Sequence, residues 1–416
     1  MRKRILVDLT PLASGGQNGG AGLVALSLVR EIGRLAPQWD LVLLTSHATH
    51  VELATLDSAN VRRMCVADVA LASPAVQSRP SLLRQVAQQS LALLPATARV
   101  QLKDTVFRLR RGRQHAALID SLQADLLFCP LTVSQFWRPG LPLVATVYDL
   151  QHVAHPEFFS RDQRLNRDAH LRDVCERAEG IACLSDFVRQ TLLDCFAPAA
   201  ERVVTIHLGL LQDFHADTTP DLTDAVDALG LQRSAYLLYP ANFWPHKNHR
   251  RLFEALRQFR NERPGLGLRL VCTGAPSDAL GEVRACATEL LGLSTVVFPG
   301  YLPAAGLQQL LDGCVAMIYP SLYEGFGLPI VEAMARGKPV LCSDVASLPE
   351  VAGDAATYFH PTTTDSISDA IKILFDEPAT VAARVAHGRE RASVFGDATT
   401  MTQSYIALIE RVMHAQ

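Results

Sequence analysis

Two glutamates, Glu324 and Glu332, lie eight positions apart around a glycine loop in the C-terminal half of the chain. The segment reads Glu-Gly-Phe-Gly-Leu-Pro-Ile-Val-Glu, and the apolar run 314–319 before it is typical of a buried parallel strand. Gly325 and Gly327 allow a tight turn and a close approach of the backbone to a ligand. Because the loop leads into a predicted helix, whose free N–H groups and dipole attract negative charge, the segment predicts an anion site.

The two carboxylates predict what else this site binds. An ionised carboxylate only accepts hydrogen bonds, so neither glutamate can bind the anion itself. The vicinal hydroxyl groups of a ribose or a hexose are suitable donors to such a group. A diphosphate held between two polyols is the chemistry of a nucleotide-sugar, and the segment therefore favours a nucleotide-sugar site.

The segment 324–332 resembles the E-x7-E motif of the GT-B glycosyltransferases, in particular those of the retaining family 4 type. The resemblance extends over nearly the whole chain, and it is strongest to bacterial mannosyltransferase-like enzymes of lipopolysaccharide O-antigen or exopolysaccharide synthesis. It implies an α/β fold of the GT-B class, in which two doubly wound Rossmann-like domains face each other across a cleft. It also implies hexosyl transfer from a nucleotide-sugar, with GDP-mannose favoured, to a growing glycan or lipid-linked acceptor, without a cofactor.

The resemblance places the donor mainly on the C-terminal half of the chain. Glu324 is expected to hold hydroxyl groups of the transferred hexose, and Glu332 those of the ribose. Lys247 is expected to offset the negative charge that develops on the leaving diphosphate, and is thus assigned to catalysis. Backbone groups are expected to complete the donor site: Gly325, Phe326, Gly327 and Leu328 at the diphosphate and hexose, Tyr301 and Leu302 at the base, and Gly20 and Gly22 across the cleft.

The chain departs from the family pattern at two positions. Asn242, kept as a donor-site residue, stands where relatives commonly have an arginine that binds the diphosphate, and either Arg250 or His246 could supply that cation. Tyr148 stands where many relatives have a histidine beside the anomeric centre. A tyrosine, with an ordinary pKa of about 10, is not a useful base near neutral pH. Retention in the family implies that a diphosphate oxygen takes the acceptor proton, so a protein base is not required.

Three more residues are assigned to the reaction or to the acceptor side. Asp149, directly after the predicted strand 143–147, can bond to a sugar hydroxyl or order its loop. His152 is an alternative to the missing histidine, and a structural role fits it equally well. Ser185 precedes a predicted helix, where we expect it as an N-cap, although the family often has a serine near the acceptor here.

A length of 416 residues predicts at least two domains. We expect an acceptor-side domain at residues 1–212, a polar linker at 213–230, a donor-binding domain at 231–395, and a C-terminal helix at 396–416 that packs back on the N-terminal domain. With 49% hydrophobic and 19% charged residues, the chain can fill two ordinary cores.

Composition and motifs argue against several classes of partner. A net charge of −3 gives no general attraction to nucleic acid. The nine cysteines form no C-x2-C pair, which indicates reduced thiols in a cytoplasm. No D-x-D motif occurs, so we expect no metal ion in the site, in keeping with the metal-independent habit of the family. No apolar run reaches about 18 residues, so no membrane span is expected.

A basic stretch between Arg99 and Arg113 predicts a membrane contact. Its cations, which alternate with apolar side chains, are Arg99, Lys103, Arg108, Arg110, Arg111 and Arg113. Because anionic lipids attract basic amphipathic helices, we expect a cytoplasmic protein with peripheral contact to the inner face of the plasma membrane. A solvated helix is the alternative.

Other functions remain open. The donor could carry rhamnose, fucose, glucose or N-acetylhexosamine instead of mannose. A GT-B scaffold could also serve a nucleotide-sugar epimerase or hydrolase, or an inactive scaffold subunit, which Tyr148 and Asn242 would suit. The presence of Glu324, Glu332 and Lys247 together favours a transferase.

Overall fold

The computed structural model describes residues 2–14, 18–66, 117–133, 136–211 and 224–415. The basic stretch 99–113 and the expected linker up to residue 223 lie outside these ranges. In the described part, the chain forms two parallel sheets joined by helical crossovers.

Seven strands form the N-terminal sheet: β1 (Lys3–Asp8), β2 (Trp39–Thr45), β3 (Val61–Cys65), β4 (Leu126–Cys129), β5 (Leu143–Val147), β6 (Gly180–Cys183) and β7 (Val203–Thr205). Their order is β3-β2-β1-β4-β5-β6-β7, and all neighbouring strands are parallel. The order reverses between β1 and β4, which is where a doubly wound sheet opens its binding crevice.

The C-terminal sheet repeats this order with six strands: β8 (Tyr236–Pro240), β9 (Arg269–Thr273), β10 (Val296–Gly300), β11 (Ala316–Tyr319), β12 (Val340–Ser343) and β13 (Ala356–Phe359). They are arranged as β10-β9-β8-β11-β12-β13, again all parallel. Parallel strands covered on both faces are apolar throughout, and β11 is buried along its whole length. The crevice of this sheet opens between β8 and β11.

Helices connect the strands of both sheets. The α-helices are Gly20–Leu35, Gln151–Ala154, Arg161–Arg177, Asp186–Phe196, Ala225–Ala228, His249–Glu262, Leu280–Leu291, Ala304–Gly313, Leu328–Ala335, Leu348–Ala352, Thr364–Asp376, Pro378–Phe395 and Ala398–His414. Short 3₁₀ turns occur at Glu52–Leu56, Pro156–Phe158, Ala200–Arg202, Pro245–Lys247, Pro264–Leu266 and Gly353–Ala355. Among the described residues, none of the helices is both long and apolar enough to cross a membrane.

The last helix of the chain lies on the N-terminal sheet, although it follows the C-terminal one. Tyr405 is fully buried there, with its ring centre 5.8 Å from that of Phe128. The hydroxyl of Thr146 lies 3.2 Å from that of Tyr405. Gly180 leaves the space that the helix needs, because a Cβ at this position would lie 2.9 Å from a methyl group of Leu408.

The described end of the expected linker 213–230 is structured. It contains the short helix Ala225–Ala228, in which Val226 is fully buried. Val226 packs against Gly313 and Tyr236 of the C-terminal domain, since a Cβ on Gly313 would meet both side chains. These residues therefore belong structurally to the donor-binding domain.

Candidate active site

Lys247 and Glu324 meet at the switch point of the C-terminal sheet, Lys247 shortly after β8 and Glu324 shortly after β11. Their side chains form an ion pair with 2.5 Å between Nζ and Oε1, and they are only 9% and 13% exposed. Lys247 Nζ also donates to the hydroxyl of Tyr319 at 3.3 Å. A cation and a carboxylate are thus held together where sheets of this type bind ligands.

The backbone of Lys247 is fixed on both sides. The hydroxyl of Tyr239 donates to its carbonyl oxygen at 2.6 Å. The next residue, Asn248, adopts the left-handed conformation with φ of 60° and precedes the helix His249–Glu262. The Asn248 amide donates to the carbonyl oxygens of Pro320, at 3.1 Å, and Pro361, at 2.8 Å. Neither Tyr239 nor Asn248 was predicted as a site residue, although asparagine adopts the left-handed conformation more readily than most residues.

Glu332 lies in the helix Leu328–Ala335, and only 6% of its surface is exposed. Burial raises the pKa of its carboxyl group to about 8. At neutral pH this carboxyl is therefore largely protonated. A buried carboxyl whose pKa is shifted in this way, beside a crevice, is typical of a functional site.

The two glycines of the loop are required for different reasons. Gly327 has φ of 102°, a conformation that other residues rarely adopt, and it allows the turn into the helix Leu328–Ala335. Gly325 lies against the other domain, because a Cβ here would be 1.8 Å from the carbonyl oxygen of Tyr148. Close approach to a ligand was the reason predicted from the sequence, whereas the structure shows close approach of the two domains.

At the start of this helix Ile330 N donates to the carbonyl oxygen of Gly327 at 2.9 Å, and Pro329 has no N–H, so the N–H groups of Phe326, Gly327 and Leu328 are the ones that could face an anion. Phe326 itself is buried, at 3% exposure.

Tyr301 and Leu302 follow β10, at the end of the sheet where the carboxyl ends of its strands lie. The ring of Tyr301 is 58% exposed, so it offers a surface on which a flat group could stack.

Asn242 and the glycines of the N-terminal domain lie at the contact between the domains. The side-chain oxygen of Asn242 accepts a hydrogen bond from Ala275 N at 2.9 Å, and its nitrogen lies 3.2 Å from the Cβ position of Gly19. Gly20 and Gly22 belong to the first turn of the helix Gly20–Leu35. In the part of the chain that the structure describes, no atom outside its own helix and its chain neighbours lies within 4 Å of a Cβ position on Gly20.

Neither alternative for the missing arginine offers a free cation. Arg250 is 76% exposed and pairs with Glu254 at 3.1 Å. Burial, together with the charge of Lys247, lowers the pKa of His246 to about 2, so that its ring stays neutral. Lys247 is therefore the residue of this segment that can bring positive charge to the crevice.

The tyrosine and the aspartate after β5 have structural partners. The hydroxyl of Tyr148 donates to the carbonyl oxygen of Ala21 at 3.3 Å, and burial raises its pKa well above 10. Asp149 accepts a hydrogen bond from Gln151 N at 3.0 Å and lies 3.4 Å from a nitrogen of Arg167. This arrangement agrees with loop ordering by Asp149, the second of its two expected roles.

His152 lies beside a cavity of about 460 Å³, whose lining includes Arg161, Arg164 and Arg172. Its Nε2 is 3.0 Å from Asp168, and burial lowers the pKa of the ring. Among the described residues, Nδ1 has no hydrogen-bond partner. Within the described ranges, no hydrogen bond or ion pair joins His152 to the Lys247–Glu324 pair.

Ser185 does more than cap its helix. Its hydroxyl oxygen accepts a hydrogen bond from Val188 N at 3.1 Å, as expected of an N-cap. The same hydroxyl donates to the carbonyl oxygen of Gly325 at 2.7 Å, in the glycine loop of the other domain.

Comparison with known proteins decides the family. The family model for glycosyl transferases group 1 matches residues 226–391. O-antigen chain mannosyltransferase B of Escherichia coli is 30% identical over 264 residues, which are 63% of this chain and 68% of that protein. The chain belongs to the glycosyl transferases of group 1. The MMP alpha-(1->4)-mannosyltransferase of Mycolicibacterium hassiacum, 33% identical over 301 residues and 67% of each chain, is also similar to this glycosyltransferase.

Two solved structures share the whole architecture of the enzyme. A glycosyltransferase from Rickettsia africae has a TM-score of 0.69 at 15% identity and covers 99% of both chains. HepE of Anabaena, solved in complex with UDP and glucose, has a TM-score of 0.69 at 18% identity and covers 98% of this chain and 100% of its own. The glycosyltransferase therefore has the GT-B fold that the E-x7-E motif predicts.

Proposed function

We propose that this glycosyltransferase moves mannose from GDP-mannose, with retention of configuration, to a growing glycan or a lipid-linked acceptor in the synthesis of a bacterial surface polysaccharide. The observation that carries the proposal is the Lys247–Glu324 ion pair at the switch point of the sheet, with the buried carboxyl of Glu332 in the helix that follows. Mannose as the transferred sugar is supported by the names of the two relatives at 30% and 33% identity.

Each group of the site has a role in binding the donor. The diphosphate lies against the first turn of the helix Leu328–Ala335, where N–H groups and dipole both favour an anion. Lys247 offsets the charge on the leaving oxygen. Glu324 accepts a hydrogen bond from a hexose hydroxyl while its ion pair keeps Lys247 in place. Glu332 accepts hydrogen bonds from the ribose.

The reaction exchanges one bond at the anomeric carbon. The bond from C1 to the diphosphate oxygen breaks, and the acceptor oxygen bonds to C1 from the same face. A diphosphate oxygen takes the proton of the acceptor hydroxyl. Tyr148 does not serve as the base, because burial raises its pKa well above 10. No metal ion is part of the proposal, since Lys247 and the helix N-terminus supply the positive potential.

Peripheral contact with the inner face of the plasma membrane, through the stretch 99–113, is also part of the proposal. The alternation of cations and apolar residues in the sequence supports it. Binding to anionic vesicles should weaken when three of these arginines are replaced by glutamine, and unchanged binding would remove the stretch from this role.

The donor assignment is tested by calorimetric titration with GDP, UDP and dTDP in the presence of EDTA. Binding of GDP alone would support a GDP-linked donor in a metal-free site. Preference for UDP or dTDP would contradict GDP-mannose and direct the assignment to glucose, N-acetylhexosamine or rhamnose. Binding that appears only when EDTA is replaced by a divalent cation would contradict the metal-free site.

A further inference from the structure

A carboxylate of the donor-binding domain caps a helix of the opposite domain. Glu350 accepts hydrogen bonds from Asp186 N at 2.8 Å and Phe187 N at 2.9 Å. Both N–H groups belong to the first turn of the helix Asp186–Phe196. Nε2 of His207, just after β7, lies 2.8 Å from the same carboxylate. The mechanism above uses none of these groups.

These contacts suit an ionised carboxylate. First-turn N–H groups have no partner inside their own helix, and the helix dipole favours negative charge at this end. Burial on its own raises the pKa of Glu350, but the bonds from His207, Asp186 and Phe187 outweigh it and hold the pKa below the usual range. At neutral pH the full charge of the carboxylate therefore faces the helix.

The same part of the donor domain holds the glycine loop 324–327. Three positions before Glu350, the hydroxyl of Ser347 lies 2.9 Å from the carbonyl oxygen of Glu324 and 3.1 Å from that of Phe326. From the opposite domain, Ser185 donates to the carbonyl oxygen of Gly325, between these two. The loop is thus held by one serine from each domain, and Ser185 directly precedes the N–H groups that Glu350 binds.

Aromatic contacts of His207 also join the Glu350 cluster to the glycine loop. The ring of His207 lies 5.9 Å from that of Phe326 and 5.5 Å from that of Phe395, measured between centres. Phe326 belongs to the glycine loop. The residue that approaches Glu350 therefore also touches the loop that carries Glu324.

We propose that Glu350 is a positioning residue, which docks the helix Asp186–Phe196 on the donor-binding domain and thereby sets the glycine loop for transfer. It acts through the loop and does not touch the donor.

A metal ion is the competing explanation, because side-chain atoms of Asp186, His207 and Glu350 lie within 4.8 Å of one another. The structure accounts for the cluster without one. Glu350 is engaged by two N–H groups and His207. Asp186 accepts a hydrogen bond from the hydroxyl of Thr205 at 2.5 Å.

Hydrogen exchange at the amides of Asp186 and Phe187, with GDP bound, tests the proposal together with steady-state kinetics. Glu350→Ala should speed exchange at these two amides by about tenfold or more, since their hydrogen bonds to a charged acceptor are lost. It should lower kcat by a similar factor while the Kd of GDP stays within about twofold, because most of the proposed contacts to GDP come from the donor-binding domain. Glu350→Gln, which keeps one acceptor oxygen, should be intermediate. Glu282→Ala, at an exposed glutamate of the same domain, is the matched control.

Exchange and kcat at wild-type values in Glu350→Ala would overturn the proposal. So would equal losses in Glu282→Ala, or loss of exchange protection over the whole chain, which would indicate unfolding. A chelator that reproduces the effect of Glu350→Ala in the wild type would favour the metal ion instead. The kinetic readout rests on the proposed transfer reaction, whereas the exchange readout is independent of it, so failure of one can be told from failure of the other.

Discussion

Glu332 is a carboxyl group that water hardly reaches, and its proposed role at the ribose predicts that nucleotide binding depends on pH. With its pKa raised to about 8 by burial, it is mostly protonated at pH 7. Hydrogen bonds donated by ribose hydroxyls stabilise the ionised form and lower the pKa. Nucleotide binding should therefore release a proton near pH 7, and affinity should rise as the pH approaches 8.

Calorimetry in two buffers of different ionisation enthalpy measures this proton release. In Glu332→Gln the release should disappear, and the affinity for GDP should fall by about tenfold, the loss expected for hydrogen bonds to a charged group. Proton release that persists unchanged in Glu332→Gln would remove Glu332 from the ribose role.

The raised pKa of Glu332 also predicts how the stability of the ligand-free enzyme depends on pH. A carboxyl whose folded-state pKa is raised contributes stability that is fully present below its unfolded value of 4.5 and is lost as the pH rises through 8. Between these values, the melting temperature of the wild type should fall relative to that of Glu332→Gln. A constant difference from pH 4.5 to pH 9 would contradict the burial of an uncharged carboxyl.

Glu324 is the residue whose loss should affect the chemistry most. Glu324→Gln keeps the volume of the side chain and an acceptor oxygen for Lys247, but it removes the charge that balances this buried cation. We expect kcat to fall by about 10²–10³, as for the loss of one preorganised electrostatic group. Glu282→Gln is the control. Transfer at the wild-type rate by Glu324→Gln would show that the site is misassigned.

At the scale of the elements, the glycine loop 324–327 forms part of the contact between the two domains. Gly325→Ala would place a methyl group 1.8 Å from the carbonyl oxygen of Tyr148, so the two domains cannot meet in the arrangement seen here. We expect kcat to fall by about tenfold or more, with GDP affinity little changed. Gly281→Ala is the matched control, because no described atom outside its own helix and chain neighbours lies within 4 Å of the Cβ position. Wild-type kcat in Gly325→Ala would mean that transfer does not require this contact.

Most strands were predictable because parallel strands are apolar along their length. The run 143–147 has the bounds of β5, and the run 314–319 begins two residues before β11 and ends with it. β3 was not predicted, because an edge strand carries polar side chains, here Arg62 and Arg63. The helix Arg161–Arg177 was missed for a related reason, since its charged residues surround it and leave only Leu171, Val174 and Cys175 buried.

The sequence analysis placed Lys247 and Glu324 in one donor site but did not predict the ion pair between them. Both residues follow the strands that border the switch point of the C-terminal sheet, so their proximity follows from the fold. The contacts of Ser185 and Glu350 were not predictable in this way. Their partners lie 140 and 164 positions away in another domain, and no local pattern encodes the angle at which the two domains close.

For the molecule as a whole, the C-terminal helix Ala398–His414 packs on the N-terminal domain. Tyr405 fills the space beside Phe128 and is fully buried. Tyr405→Ala should lower the free energy of unfolding by about 3–5 kcal/mol, the range for loss of a large buried side chain. Val394→Ala, at a side chain that is 69% exposed, is the control. Denaturant unfolding measures both, and equal stability of Tyr405→Ala and the wild type would mean that the helix is not docked in solution.

The transfer reaction itself tests the central claim most directly. We would follow GDP-mannose by NMR with EDTA and a glycan or lipid-linked acceptor, for the wild type and Glu324→Gln. The account predicts a mannosyl product with the anomeric configuration of the donor, formed by the wild type and at least about 10²-fold more slowly by the variant. A product of inverted configuration, release of free mannose that ignores the acceptor, or no mannosyl product while another nucleotide-sugar is consumed would contradict it.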